Sequence, residues 1–296
     1  MTRDPILNRR RFLALSACAL AAPAGAAAPH AWQGTALGAD VALTVRGGTP
    51  AAARAFFAEA ARGLRGVERE FSLFAGSALR RLNAAGRLPH PSNAMLAVLR
   101  LAGRVHAATG GAFDPTVQPL WQARRRGGNE AAAARLTGWA DVRVDPAEVR
   151  LARPGMALTL NGIAQGFAAD RLAAIARRHG LDRVLIDAGE VRALGPDPWQ
   201  AAIAAPDGRT LRQLTLRGRA LATSAAFGTR IGPAGDRSHI IGPDGGAPRW
   251  SLVSVSADSA MLADALSTAA VLMTQARIEA ALAAFPDARI EAIEPL

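Results

Sequence analysis

The alternation of apolar and polar positions is most informative between residues 158 and 194. Residues 158–160 read as a short apolar strand and residues 161–166 as a turn bracketed by Gly162 and Gly166. A helix follows, with Phe167, Leu172, Ile175 and Ala176 sharing one face. Arg177, Arg178 and His179 fill its last turn, where cations suit the negative end of the helix dipole, and Gly180 is the expected stop. A second strand over 184–186 ends at Asp187-Ala188-Gly189-Glu190.

On either side the pattern predicts further elements. Val41, Leu43 and Val45 alternate as one face of a strand within residues 32–45. Thr49 at an N-cap and Pro50 in the first turn open a helix with Phe57, Ala60, Leu64, Val67 and Phe71 on one stripe, read as core. Ser92 caps another, carrying Met95, Val98, Leu99, Ala102 and Val105 and running to Thr109-Gly110-Gly111. Residues 124–135, rich in arginine and alanine, predict a polar surface connection. Strands follow at 200–204, 211–216 and 220–223, then a helix over 259–275 and a closing strand with Ile290 and Ile293. No internal repeat or linker interrupts this order, and periodicity does not reveal the order of the strands in a sheet.

Composition adds limits. The 296 residues are half apolar, enough for a real core, and carry 35 arginines, no lysine and no tyrosine for a net charge of +11. The excess favours anionic ligands, yet no basic block with interleaved aromatics occurs, so nucleic acid is not an expected partner. Asn8-Arg9-Arg10-Arg11-Phe12-Leu13, an alanine-rich apolar run and Ala24-Gly25-Ala26 resemble a twin-arginine export signal with its cleavage site. This divides the chain into a signal peptide, 1–26, and one exported domain, 27–296, and predicts a periplasmic protein. The one cysteine, Cys18, completes a lipobox-like Leu15-Ser16-Ala17-Cys18, and a lipid-anchored form is the alternative.

Candidate chemistry gathers at a few positions. A tight glycine turn opening a helix presents backbone N–H groups to a phosphate, or is an ordinary strand-to-helix loop; the spacing matches neither a Rossmann fingerprint nor a Walker loop. Asp264 and Thr268 lie one turn apart on a helix with apolar residues on every side. A carboxylate buried there needs a cation, and two hard oxygens at that spacing suit Mg²⁺. His106 reads as a helix-terminus cation, Asp114 before Pro115 as the start of an Asx-turn, and His239 as a core histidine.

NGIAQGFAADRL followed by VLIDAGEVRALG resembles segments of the ApbE family, the Mg-dependent FAD:protein FMN transferases. So do GTALGADVAL, FSLFAGSALRRLN, TGGAFDPTVQPL, LATSAAF, SHIIGP and ADALSTA, in order along the chain. The resemblance implies an α+β catalytic domain of mixed or antiparallel sheets covered by helices, with FAD as substrate and Mg²⁺ as cofactor. It implies flavin contacts from Phe74, Asp114, Gly162, Gln165, Gly189, Glu190, Thr223 and Ser224, metal ligands in Asp264, Thr268 and the Ala164 carbonyl, and His239 as catalytic base. The backbone N–H groups after Gly162 are expected to hold pyrophosphate oxygens. The acceptor it implies is a threonine hydroxyl of an exported or membrane-bound flavoprotein; the GIAQG form resembles the branch found with nitrous oxide reductase maturation. Gln165 replaces a lysine, Asn161 a glycine and Gly242 an aspartate of the family pattern. Those departures keep two alternatives open: an FAD pyrophosphatase releasing free FMN and AMP, and a non-catalytic flavin-binding protein.

Overall fold

The computed structural model describes residues 16–17, 28–74 and 76–296. Arg9, Arg10, Cys18 and the cleavage site lie outside the described residues. Eight helices are described: α1 (Pro50–Phe71), α2 (Ala78–Ala85), α3 (Asn93–Ala108), α4 (Gln118–Arg126), α5 (Glu130–Ala134), α6 (Ala164–Arg178), α7 (Ala260–Ala270) and α8 (Gln275–Leu282). None is long and apolar enough to cross a membrane.

Seven strands form the central sheet, in the spatial order Arg289–Pro295, Trp250–Ala257, Ala220–Ala225, Val191–Ala193, Val184–Asp187, Ala39–Val45 and His30–Ala36. Every neighbouring pair is antiparallel. Side chains alternate between the two faces, as the pleat requires. Val184, Ile186, Ala220, Ala222, Val253 and Val255 face the helical core, while Leu185, Val191, Leu221 and Leu252 pack with Trp199, Ile203 and Leu216 of a covering hairpin, Trp199–Ala204 and Thr210–Leu216. The architecture is thus the α+β arrangement expected.

Three expectations change. Residues 158–160 pair with no strand: Leu158 and Leu160 are buried, and side chain and loop supply the backbone partners instead. Asn83 both donates to the Leu158 carbonyl and accepts from its N–H, each at 2.8 Å, while the Thr159 N–H donates to the Pro115 carbonyl at 2.8 Å. Asn83 lies on α2, which Ser77 caps by accepting from the Arg80 N–H. The helix expected over 259–275 stops at Ala270 as α7, and α8 starts separately at Gln275, where Thr274 caps it by accepting from the Arg277 N–H. Residues 124–135 are a helical hairpin with a buried Arg124, since that guanidinium is matched by Glu130.

Candidate active site

The α6 N-terminus lacks a cap of its own: Ile163, at the N-cap position, has no side-chain acceptor to offer. Asp264 of α7 supplies one, its Oδ2 accepting from the Gly166 N–H at 3.0 Å. Gly166 permits this approach, because a Cβ there would overlap the Ala260 backbone carbonyl. Thr268 follows one turn along α7 and lies against the glycine turn; a Cβ on Gly162 would come within 2.8 Å of its Oγ1. Ser224 reaches the same place from the sheet, its hydroxyl 3.2 Å from Thr268 Oγ1 and 2.8 Å from Ser267 Oγ.

The turn after Val184–Asp187 closes the cluster. Gly189 adopts φ 90°, and the space a Cβ would need is filled by the Gln165 amide. Glu190 is buried, with Oε2 accepting from the Thr223 N–H at 3.2 Å. Burial pushes its carboxyl well above the usual range, and the nearby charge of Asp264 adds to this. Burial also pushes Asp264 up to about 7 and Asp187 up to about 6, each opposed by one backbone N–H, of Gly166 and Gly189 respectively.

Nine of the residues singled out from the sequence therefore meet: Gly162, Ala164, Gln165, Gly189, Glu190, Thr223, Ser224, Asp264 and Thr268. Four lie on other segments. Asp114 is buried and makes the Asx-turn, its Oδ1 accepting from the Thr116 N–H at 2.8 Å and hydroxyl at 2.6 Å. His106 stands in the last turn of α3, donating from Nδ1 to the Phe113 carbonyl at 2.9 Å. Phe74 is 67% exposed on the α1–α2 connection. His239 is half-buried just past the short strand Arg237–Ser238, whose Ser238 hydroxyl donates to the Ala226 carbonyl at 2.7 Å. That contact ties His239 to the end of the strand bearing Thr223 and Ser224.

One expectation about the turn is corrected. The N–H groups of Ile163 and Ala164 donate to the Leu160 carbonyl, at 3.1 and 2.8 Å, and that of Gly166 to Asp264. A buried helix start has to satisfy its donors internally, so these three do not await a phosphate. The pattern also missed Asp170 and Asp187. Asp170 was visible within the AADRL run, but nothing in its spacing pointed to a cap on a helix 90 residues away.

No group of three or more His, Cys, Asp or Glu side chains among the described residues is arranged to hold a metal ion. Mg²⁺ needs fewer, because it retains waters and shares phosphate oxygens. Asp264, Thr268 and the Ala164 carbonyl fit it on one observation: what opposes burial at Asp264 and Glu190 is a backbone N–H and not a cation. A divalent ion would supply the missing charge.

A sequence model of the ApbE family matches residues 37–293. The chain belongs to the ApbE family. It is 31% identical to the FAD:protein FMN transferase of Klebsiella pneumoniae (strain 342) over 226 residues, 67% of this chain and 65% of that protein. The chain thus spans a little under two thirds of the length of such curated relatives. Its fold is similar to the flavin transferase ApbE from Vibrio cholerae, with a TM-score of 0.75 and 25% identity over 88% of this chain and 93% of that one. It is also similar to the ApbE protein from Thermotoga maritima, with a TM-score of 0.77 and 25% identity over 90% and 96%.

Two departures from the ApbE family pattern acquire a structural context. Gln165 faces the Gly189 turn as a neutral amide. At Gly242 the lost aspartate has a neighbour in Asp244, whose Oδ1 lies 2.8 Å from where a Gly242 Cβ would be and accepts from the Gly246 N–H at 2.9 Å.

Proposed function

We propose that this chain is an exported, Mg²⁺-dependent FAD:protein FMN transferase. A threonine hydroxyl of an acceptor flavoprotein attacks the FMN phosphorus of FAD. The new O–P bond replaces the bond to the AMP oxygen, AMP leaves, and the threonine proton passes to His239 Nε2 or Nδ1. The observation that carries this reading is the meeting of Asp264, Thr268 and the Gly162 turn around a buried carboxylate without a cation.

Asp264, Thr268 and the Ala164 carbonyl would hold Mg²⁺, which would supply positive charge against that developing on the pyrophosphate. Gln165 and Ser224 orient the phosphate oxygens by hydrogen bonding, Glu190 fixes the start of the Thr223–Ser224 segment, and Phe74 and Asp114 belong to the flavin end. In-line attack requires no covalent enzyme intermediate, consistent with a domain that uses no cysteine. The acceptor is an exported or membrane-bound flavoprotein, and nitrous oxide reductase maturation is the context the GIAQG form favours.

Incubating the purified chain with FAD, Mg²⁺ and candidate acceptors, then reading in-gel flavin fluorescence, tests the reading. Covalent fluorescence on the acceptor together with released AMP is the expected result. FMN appearing only in free form makes the chain a pyrophosphatase, and bound but unreacted FAD makes it a flavin-binding protein.

A further inference from the structure

The segment presenting His239 is held by the helical hairpin α4–α5. At its start, Arg237 Nη2 lies 3.6 Å from Glu130 Oε1. At its end, the Gly245 carbonyl accepts from Arg124 Nη2 at 2.9 Å. The two holding residues are joined to each other: Arg124 Nε and Nη2 both donate to Glu130 Oε2, at 2.9 and 2.7 Å. Between the ends, buried Ile241 packs against Val117 and Leu120.

This is more than an exposed ion pair. The Arg124 side chain is 5% exposed, and an arginine is kept in such a place only when its fork is matched by acceptors. Its hydrogen bonds hold the Glu130 carboxyl below the usual range, with Arg237 contributing at longer reach, so the acceptor is ionised at neutral pH. One arginine thus holds the far end of the segment directly, and the glutamate it orients holds the near end. His239 lies between those two points with Ser238 fastened to the sheet and Ile241 to α4.

We propose that Arg124 and Glu130 form a clamp on residues 237–245 that sets the position of the His239 imidazole. The proposal rests on the reading of His239 as the proton acceptor in FMN transfer. Glu130 and Arg124 do not touch substrate; they act through the segment, as positioning residues. The chemical demand is clear, because a general base works only within hydrogen-bonding reach of the proton it takes, and a displacement on the order of 1 Å can cost about a hundred-fold in rate.

The test uses the full chain with Glu130→Gln and Arg237→Gln, both partly exposed positions that spare the buried Arg124. Amide hydrogen exchange over residues 237–246 is measured beside transfer kcat, KM for FAD and thermal stability. Expected for Glu130→Gln is faster exchange confined to that segment, a kcat about ten-fold lower and KM within about two-fold; Arg237→Gln should give a smaller loss in the same direction. Combining the two should match Glu130→Gln alone, because Arg237 acts through Glu130. Placed in a His239→Gln background, Glu130→Gln should lower transfer no further.

Unchanged exchange over 237–246 overturns the clamp, as does faster exchange with parental kcat. Equally faster exchange in α3 and α6 together with a lower melting temperature also overturns it, because that is general destabilisation. If His239→Gln alone transfers FMN at the parental rate, the base reading fails and the positioning role falls with it. The two failures are distinguishable, since the first leaves His239→Gln inactive and the second does not.

Discussion

Asp264 and Asp170 exchange helix caps. Asp264 on α7 accepts from the Gly166 N–H at the start of α6, and Asp170 on α6 accepts from the Ala260 and Met261 N–H groups at the start of α7, all at 3.0 Å. The Ser259 hydroxyl adds a third bond to Asp170 at 2.7 Å. Each carboxylate thus sits at the positive end of the other's helix, so the element that offers the proposed metal ligand also orders the turn it faces.

The double duty of Asp264 separates its two roles by substitution. Asp264→Asn keeps an oxygen for the Gly166 N–H and removes the charge, so the melting temperature should stay near the parental value while Mg²⁺-dependent transfer falls at least about a hundred-fold. Asp264→Ala loses the cap as well and should cost about 1–3 kcal/mol of stability in urea. Full Mg²⁺-dependent activity in the asparagine variant makes Asp264 a structural acid.

The raised carboxyls fix the direction of a pH effect. A carboxyl with a raised folded pKa keeps its proton where the unfolded chain has lost it, so its contribution is complete below the ordinary value, 3.8 for aspartate. It is lost as pH rises through about 6 for Asp187 and about 7 for Asp264. The metal-free chain should therefore melt at lower temperature at about pH 7.5 than at about pH 5. Mg²⁺ should raise the melting temperature more at the upper pH, and not in Asp264→Asn. Calorimetry with and without Mg²⁺ checks this; an equal Mg²⁺ effect at both pH values contradicts it.

Gly166→Ala is expected to be among the most damaging small substitutions. The new methyl meets the Ala260 carbonyl, which is backbone and cannot swing aside, so α6 and α7 must separate at the point where they cap each other. Loss of about 1–3 kcal/mol is expected, read from denaturant midpoints. A midpoint equal to the parent's would show that the crossing can widen freely.

His239→Gln should leave FAD affinity nearly unchanged and cut FMN transfer by at least about a hundred-fold, the lower end of the usual worth of a general base. Fluorescence quenching reports binding and acceptor fluorescence reports transfer. Transfer within a few-fold of the parent identifies His239 as a core residue, and lost FAD binding identifies it as part of the pocket.

Changing Arg9 and Arg10 together to lysine should strand the precursor in the cytoplasm, because twin-arginine recognition reads arginine. Fractionation followed by immunoblotting measures it, and unchanged periplasmic delivery removes the export assignment.

Local chemistry was legible in the sequence wherever one element sufficed to express it. Thr49, Ser92 and Gly180 marked helix boundaries that the structure retains, and the Val41, Leu43, Val45 face is buried as the alternation required. The burial of Asp264 followed from its apolar surroundings. What stayed hidden were relations between distant elements: Asn83 standing in for a strand beside Leu158, Asp170 capping α7, and buried Arg124 donating to the Gly245 carbonyl. Each has a polar side chain bonding to a segment far along the chain, and no periodicity records that. The glycine turn shows the converse, since its spacing suggested open donors that the Leu160 carbonyl and Asp264 already take.

Asn83 occupies both backbone groups of Leu158, three residues before Asn161 and the glycine turn, with the side chain of a helix that begins just after the Phe74 connection. The turn beneath Thr268 is therefore anchored, through Asn83, to the helix that Ser77 starts. Removing that one amide would strip both backbone groups of Leu158 of these partners, just ahead of the turn.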